Sequence, residues 1–126
     1  MWASDPASRS LGMQLSDVRP GRATVTMTVT DLMVNGHGIC HGGYIFTLAD
    51  SAFAFACNTY NQRTVAQHCC VTFIRPSRLG DRLEARAVER SRSDRSGIYD
   101  VTVTADDGST VAEFRGHSRT IDGTLV

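Results

Sequence analysis

The chain contains no lysine. All 13 of its basic residues are arginine, and 13 acidic residues balance them to a formal net charge of zero. The arginines alternate with acids and threonines and form no stripe, so nothing in the charge pattern points to a nucleic-acid partner. Nowhere do 18 apolar residues follow one another, and residues 1–10 lack the basic start and apolar run of a signal peptide. These absences predict no membrane span and a cytoplasmic protein. No C-x-x-C pair occurs among Cys40, Cys57, Cys69 and Cys70, and the neighbours Cys69 and Cys70 would point to opposite faces of a strand. Reduced, buried thiols are expected. Repeats and low-complexity tracts are also missing. With 126 residues, the expectation is one domain spanning 1–126, with loose ends only in the first several residues and at 122–126.

What is present is alternation. Residues 22–30 read R-A-T-V-T-M-T-V-T, with Ala23, Val25, Met27 and Val29 apolar and Arg or Thr between them, the period of a half-buried strand. Weaker versions recur at 11–18, 65–74, 82–88, 99–105 and 110–120. Turn residues separate several of them: Arg19-Pro20-Gly21, Leu79-Gly80-Asp81, 93–97 and Asp106-Asp107-Gly108. One segment breaks the rhythm. Residues 42–58 are apolar on nearly every side and rich in alanine, which predicts a single buried helix roughly 25 Å long. The expected fold is α+β: an antiparallel sheet of five to six strands wrapped around one long central helix. One helix cannot cover both sheet faces, and open edges invite another copy, so self-association is expected.

The chemistry concentrates at this helix. Asp50 lies in its apolar middle, where an ionised carboxylate costs several kcal/mol unless paired or hydrated. Two explanations stand: a structural pair with an arginine such as Arg75, or a catalytic base or nucleophile. Just upstream, Asn35-Gly36-His37-Gly38-Ile39-Cys40-His41-Gly42-Gly43 is a glycine-rich loop running into the helix start. The first N–H groups of a helix lack internal partners and sit at the positive end of its dipole. Gly42 N–H can therefore polarise a carbonyl oxygen, with Gly43 beside it leaving room for substrate. The same glycines also suit a plain helix-entry turn. Gly42 and Asp50 are separated by ~12 Å along the helix axis. If both act on one carbonyl, they must come from different subunits, through central helices lying side by side and antiparallel.

These residues carry a family resemblance. N-G-H-G-I-C-H-G-G at 35–43 leads to L-A-D at 48–50, followed by A-F-A-F-A-C-N at 52–58, F-I-R-P at 73–76, L-G-D at 79–81 and F-R-G at 114–116. The pattern resembles the hotdog-fold acyl-CoA thioesterases of the phenylacetate-degradation (PaaI) type, over nearly the whole chain. The resemblance implies that Asp50 is the essential carboxylate, as base or as nucleophile forming an acyl anhydride, and that Gly42 N–H is the oxyanion donor. It further implies that Asn35 positions water or substrate and that His41 orients the loop. Phenylacetyl-CoA or hydroxyphenylacetyl-CoA would be the substrate, a dimer of dimers the assembly, and no cofactor or metal is required. Some relatives carry a hydroxyl residue one turn after the carboxylate; here that position is Ala54. For the CoA phosphates, Arg92, Arg95, Ser96 and Gly97 form a turn whose guanidinium and N–H groups suit anions, although a solvated turn has the same composition. Tyr44, Leu48 and Phe53 suit either an acyl pocket or the core.

Other readings compete. His37, Cys40 and His41 are zinc-ligand types without an evident fourth ligand. Cys40 and His41 are adjacent and so poorly placed for a dyad, and no G-x-S-x-G elbow is present. An enoyl-CoA hydratase or dehydratase on the same fold would pair an acid with a histidine such as His41. A non-catalytic acyl-CoA-binding module has no need of a carboxylate inside the helix.

Overall fold

A computed structural model describes residues 1–126. Six strands form one antiparallel sheet: β1 (Gln14–Arg19), β2 (Arg22–Thr28), β3 (Thr64–Phe73), β4 (Arg82–Ser93), β5 (Ser96–Thr104) and β6 (Thr110–Thr120). Their order across the sheet is β1-β2-β4-β5-β6-β3. A short helix α1 (Pro6–Ser10) precedes the sheet, and the long helix α2 (Gly42–Cys57) connects β2 to β3. That connection carries the chain across the whole sheet, so α2 lies against its concave face and touches all six strands.

Alternation explains which face is covered. Ala23, Val25 and Met27 of β2, Leu83, Ala85 and Ala87 of β4, and Tyr99, Val101 and Val103 of β5 are all buried under the helix. Alanines meet alanines there: Ala49, Ala52 and Ala56 of α2 are completely buried, and small residues let helix and sheet approach closely. Phe53 occupies the remaining space against β6. A Cβ on Gly116 would come within 2.8 Å of the Phe53 ring, so only glycine fits beneath it.

The two sheet edges differ. β1 is short and its pairing with β2 is interrupted between Ser16 and Arg19, with Asp17 at a φ of 49°. Such a bulge twists an edge out of reach of further strands. β3 is ten residues long, and Val65 and Phe73 on it are nearly half exposed.

Several boundaries depart from the sequence expectation for identifiable reasons. β4 runs on to Ser93 instead of ending at residue 88, because a bulge between Glu89 and Ser91 shifts the inward face by one residue. β1 begins at Gln14, not at residue 11, because Gly12 at a φ of 72° turns the chain first. Both ends of the chain touch its body, although residues 122–124 and 126 stay exposed. Trp2 packs on Phe55 with ring centroids 5.5 Å apart, and Ser8 is buried. At the other end, Arg63 N–H donates to Gly123 O at 3.2 Å. Side-chain oxygen Oδ1 of Asn61 accepts from the Leu125 and Val126 N–H groups.

Candidate active site

The glycine-rich loop is held by its own first residue. Asn35 Oδ1 accepts the N–H of His37 at 2.9 Å and of Ile39 at 3.2 Å. Asn35 N–H donates to Ile39 O at 2.8 Å, and Gly38, at a φ of 73°, closes the turn. The Asn35 side-chain carbonyl is thus committed to the loop, and only its amide nitrogen is left to reach a substrate or water. His41 enters through its backbone: its N–H donates to Met33 O at 2.8 Å, while its side chain makes no capping bond to the helix.

Where α2 begins, the N–H groups of Gly42 and Gly43 donate to nothing in the chain, while Tyr44 N–H is already bonded to His41 O at 3.1 Å. Beside them runs an apolar groove of about 430 Å³, lined by Ile39, Gly42, Ile45, Phe73 and Ile74 together with Arg75. The Phe73 ring lies on Gly42 so closely that a Cβ there would sit 2.8 Å from it. Helix N-termini with free N–H groups beside apolar surface suit a polarised carbonyl on an apolar chain.

Asp50 stands two turns further along. Phe46 and Phe53 flank it on the helix, and both rings pack on Phe114 of β6, at 5.5 and 5.8 Å. The turn carrying Asp50 therefore faces the β6 and β3 side, toward the open edge of the sheet. The carboxylate is half-buried and takes part in no hydrogen bond or ion pair, so the structural pair with Arg75 is not formed. Burial, and after it the negative charge of Asp5, hold its carboxyl above the ordinary carboxylate range. Around it the thiols stay protonated: burial pushes Cys69 up, and Cys57 to about 12. Cys40 is raised by burial as well, which removes it as a neutral-pH nucleophile. No three His, Cys, Asp or Glu side chains gather where a metal could be held, so His37, Cys40 and His41 do not converge.

A raised carboxyl has a consequence for stability. The folded chain holds the Asp50 proton more tightly than the unfolded chain, so stability falls as pH rises from the ordinary value of 3.8 through the raised folded value. Above that window the loss is complete. Asp50→Asn is therefore expected to melt at a higher temperature than the natural protein at pH 7, with the difference closing toward pH 3. Equal melting temperatures at pH 7 would show that water solvates the carboxylate fully.

The other predicted residues lie elsewhere. Arg92, Arg95, Ser96 and Gly97 belong to the tight β4–β5 hairpin at the C-terminal end of α2. Arg92 stacks 3.7 Å above the Tyr60 ring and donates to Gln62 at 3.2 Å, and Arg95 pairs with Asp122 at 3.5 Å. A Cβ at Gly97 would meet Ser118 Oγ at 2.8 Å, so packing alone accounts for that glycine. Leu48 and Phe53 are core residues, 0% and 1% exposed; Tyr44 faces a separate groove with Leu11, Leu32 and Met33. Sequence reasoning missed Glu89, whose Oε1 accepts from both Tyr60 and Tyr99 hydroxyls at 2.9 Å. It also missed Asn58, which ties the end of α2 to Thr64 at the start of β3. An acid opposite a tyrosine across a hairpin was the available signal for Glu89.

One curled antiparallel sheet around one helix is the hotdog fold, an architecture that houses acyl-thioester enzymes. Residues 37–112 match the family model described as the thioesterase superfamily, and the chain belongs to that superfamily as an enzyme of the hotdog class. The acyl-coenzyme A thioesterase PaaI of Escherichia coli K12 is 44% identical over 126 residues, covering 100% of this chain and 90% of the relative. The structure of E. coli PaaI, from the phenylacetic acid degradation operon, matches with a TM-score of 0.98 over 100% of this chain and 91% of that one. A variant of the phenylacetic acid degradation protein PaaI from Thermus thermophilus has a TM-score of 0.89 at 40% identity, covering 93% and 100%. The Streptococcus mutans UA159 protein smu.793, solved bound to acetyl CoA, has a TM-score of 0.85 at 25% identity, covering 89% and 90%.

Proposed function

We propose that the chain hydrolyses aryl-acetyl-CoA thioesters, phenylacetyl-CoA or hydroxyphenylacetyl-CoA, to the free acid and CoA. The observation that carries this reading is the unpartnered Asp50 carboxylate on a helix whose N-terminus offers two unused N–H groups beside an apolar groove. The E. coli and T. thermophilus relatives are named for phenylacetic acid degradation, which supports an aryl-acetyl group as the acyl class.

In this mechanism the thioester carbonyl oxygen rests on Gly42 N–H, which stabilises the charge that develops there. Asp50 of the partner subunit takes a proton from water, whose oxygen adds to the carbonyl carbon, or attacks that carbon itself to give an anhydride that water then opens. The C–S bond breaks in either route, and the thiolate leaves without needing a strong acid. The Asn35 amide donates to the water or the substrate.

The open β3 edge pairs with β3 of a second copy, and the two α2 helices then lie antiparallel, each bringing its Asp50 toward the other's Gly42. Two such dimers associate through the outer sheet faces, where the threonines of β2 are polar enough for a loose contact. The 92–97 hairpin holds CoA phosphates, since the Arg92 and Arg95 side chains remain largely exposed. Its substrate places the enzyme in the cytoplasm.

The test is release of CoA thiol from phenylacetyl-CoA, hydroxyphenylacetyl-CoA and a short and a long aliphatic acyl-CoA. An aryl-acetyl preference of about tenfold or more in kcat/KM is expected. A faster aliphatic substrate overturns the acyl assignment, and an enoyl-CoA run alongside that loses its absorbance without thiol release points to a hydratase instead.

A further inference from the structure

The N-terminal segment is built against the helical turn that carries Asp50. Asp5 caps α1, accepting the Ser8 N–H at 3.1 Å and the Ser8 hydroxyl at 2.8 Å. That hydroxyl also meets the Ser51 hydroxyl at 2.7 Å, and Ser51 directly follows Asp50. Ser8 is 2% exposed and Ser51 8%, so water does not compete for these bonds. Each hydroxyl has one hydrogen to give. Ser8 gives its own to Asp5, so Ser51 must give its own to Ser8, and the chain of donors runs from the catalytic turn to the Asp5 carboxylate. One helical turn beyond Ser51, Phe55 takes the Trp2 ring, which fixes the segment at a second point.

We propose that Asp5 is a positioning residue for Asp50: through the Ser8–Ser51 relay it holds the turn that carries Asp50, and it places a second negative charge beside it. The proposal rests on Asp50 being the catalytic carboxylate. The other titratable groups around Asp50 are the Cys69 thiol on β3 and the Cys57 thiol on α2 itself, and no arginine or histidine pairs with it. Asp5 is thus the charged group that acts on Asp50, second only to burial in raising its proton affinity. A carboxylate with raised proton affinity is a better proton acceptor near neutrality. A cap alone asks for none of this, because asparagine caps a helix as well as aspartate.

Asp5→Asn exploits that equivalence: its Oδ1 keeps the cap on the Ser8 N–H and the charge is removed, while its amide nitrogen, standing where Oδ2 accepts the Ser8 hydroxyl, donates to that oxygen so that the relay runs the other way. Carbon-detected NMR of the Asp50 carboxyl and the pH profile of kcat/KM are measured together. The Asp50 midpoint and the acid limb are both expected to move down by roughly half a pH unit, with the neutral-pH rate falling about twofold. Asp5→Glu returns the charge and moves both back. An Asp50 midpoint unchanged in Asp5→Asn overturns the proposal. A midpoint that moves while the acid limb stays overturns the reading of Asp50 as the catalytic group, and the proposal with it. Should Asp5→Asn not fold, Ser8→Ala cuts the relay but leaves the Asp5 cap on the Ser8 N–H; a smaller downward movement is expected, and none overturns the proposal.

Discussion

Asp50→Asn lowers kcat/KM for thioester hydrolysis by about a thousandfold or more, while acyl-CoA binding measured by calorimetry changes by less than about threefold. Asparagine keeps the size of the side chain and its place between Phe46 and Phe53, so the helix and the groove beside Gly42 are untouched. It removes the only carboxylate on α2. An amide neither accepts a proton from water nor attacks a carbonyl, and what survives is the contribution of the Gly42 N–H and of binding. Because the same substitution is expected to raise the melting temperature at pH 7, loss of fold cannot explain loss of rate. A decrease of less than about tenfold, with binding intact, removes Asp50 from the mechanism.

Activity that reappears on mixing two dead variants is the second large effect. Gly42→Pro deletes the oxyanion donor, a change that costs on the order of a hundredfold or more. Proline is welcome at the first position of a helix. The new ring meets the Phe73 side chain, whose nearest atom lies 2.8 Å from where a Cβ on residue 42 would stand and whose ring is half exposed and able to swing aside. Unmixed, either variant has no intact site. After denaturation and refolding of an equal mixture, half of the dimers are mixed, and in each of these one of two sites combines an intact Gly42 with an intact Asp50. About a quarter of the natural activity is therefore expected. Mixed dimers that stay inactive place donor and carboxylate in a single chain, against the ~12 Å that separates them along the helix axis.

Much of this was legible in the residues. The R-A-T-V-T-M-T repeat announced β2 because one of its faces is fully buried, and the unbroken apolar character of 42–58 announced α2 because the sheet curls around it. Asp50 and Gly42 stood out because each breaks a local pattern. The β4 extension did not show, since a bulge between Glu89 and Ser91 reverses the alternation beyond Glu89, and Glu89 itself, in the inward phase of Leu83, Ala85 and Ala87, is a charged residue that reads as the end of a strand when it in fact receives two tyrosine hydroxyls. The docking of the N-terminus was hidden for a different reason. Ser8 and Ser51 are 43 residues apart, and a serine pair has no sequence signature until the fold brings it together. Arg92 and Arg95 looked equally free in the sequence, but only contacts with Tyr60, Gln62 and Asp122 reveal how each is held.

The order of the sheet is out of step with the order of synthesis at one strand. β3 ends at Phe73, yet its partner within the chain is β6, which begins at Thr110. At ribosomal rates of about 5–20 residues per second, β3 leaves the ribosome roughly two to seven seconds before that partner exists. During this interval its backbone donors and acceptors have only water or another nascent chain to bond. The outward residues His68, Cys70 and Thr72 keep one face of the waiting strand comparatively polar, whereas Val71 and Phe73 on the other are the groups a chaperone would have to shield.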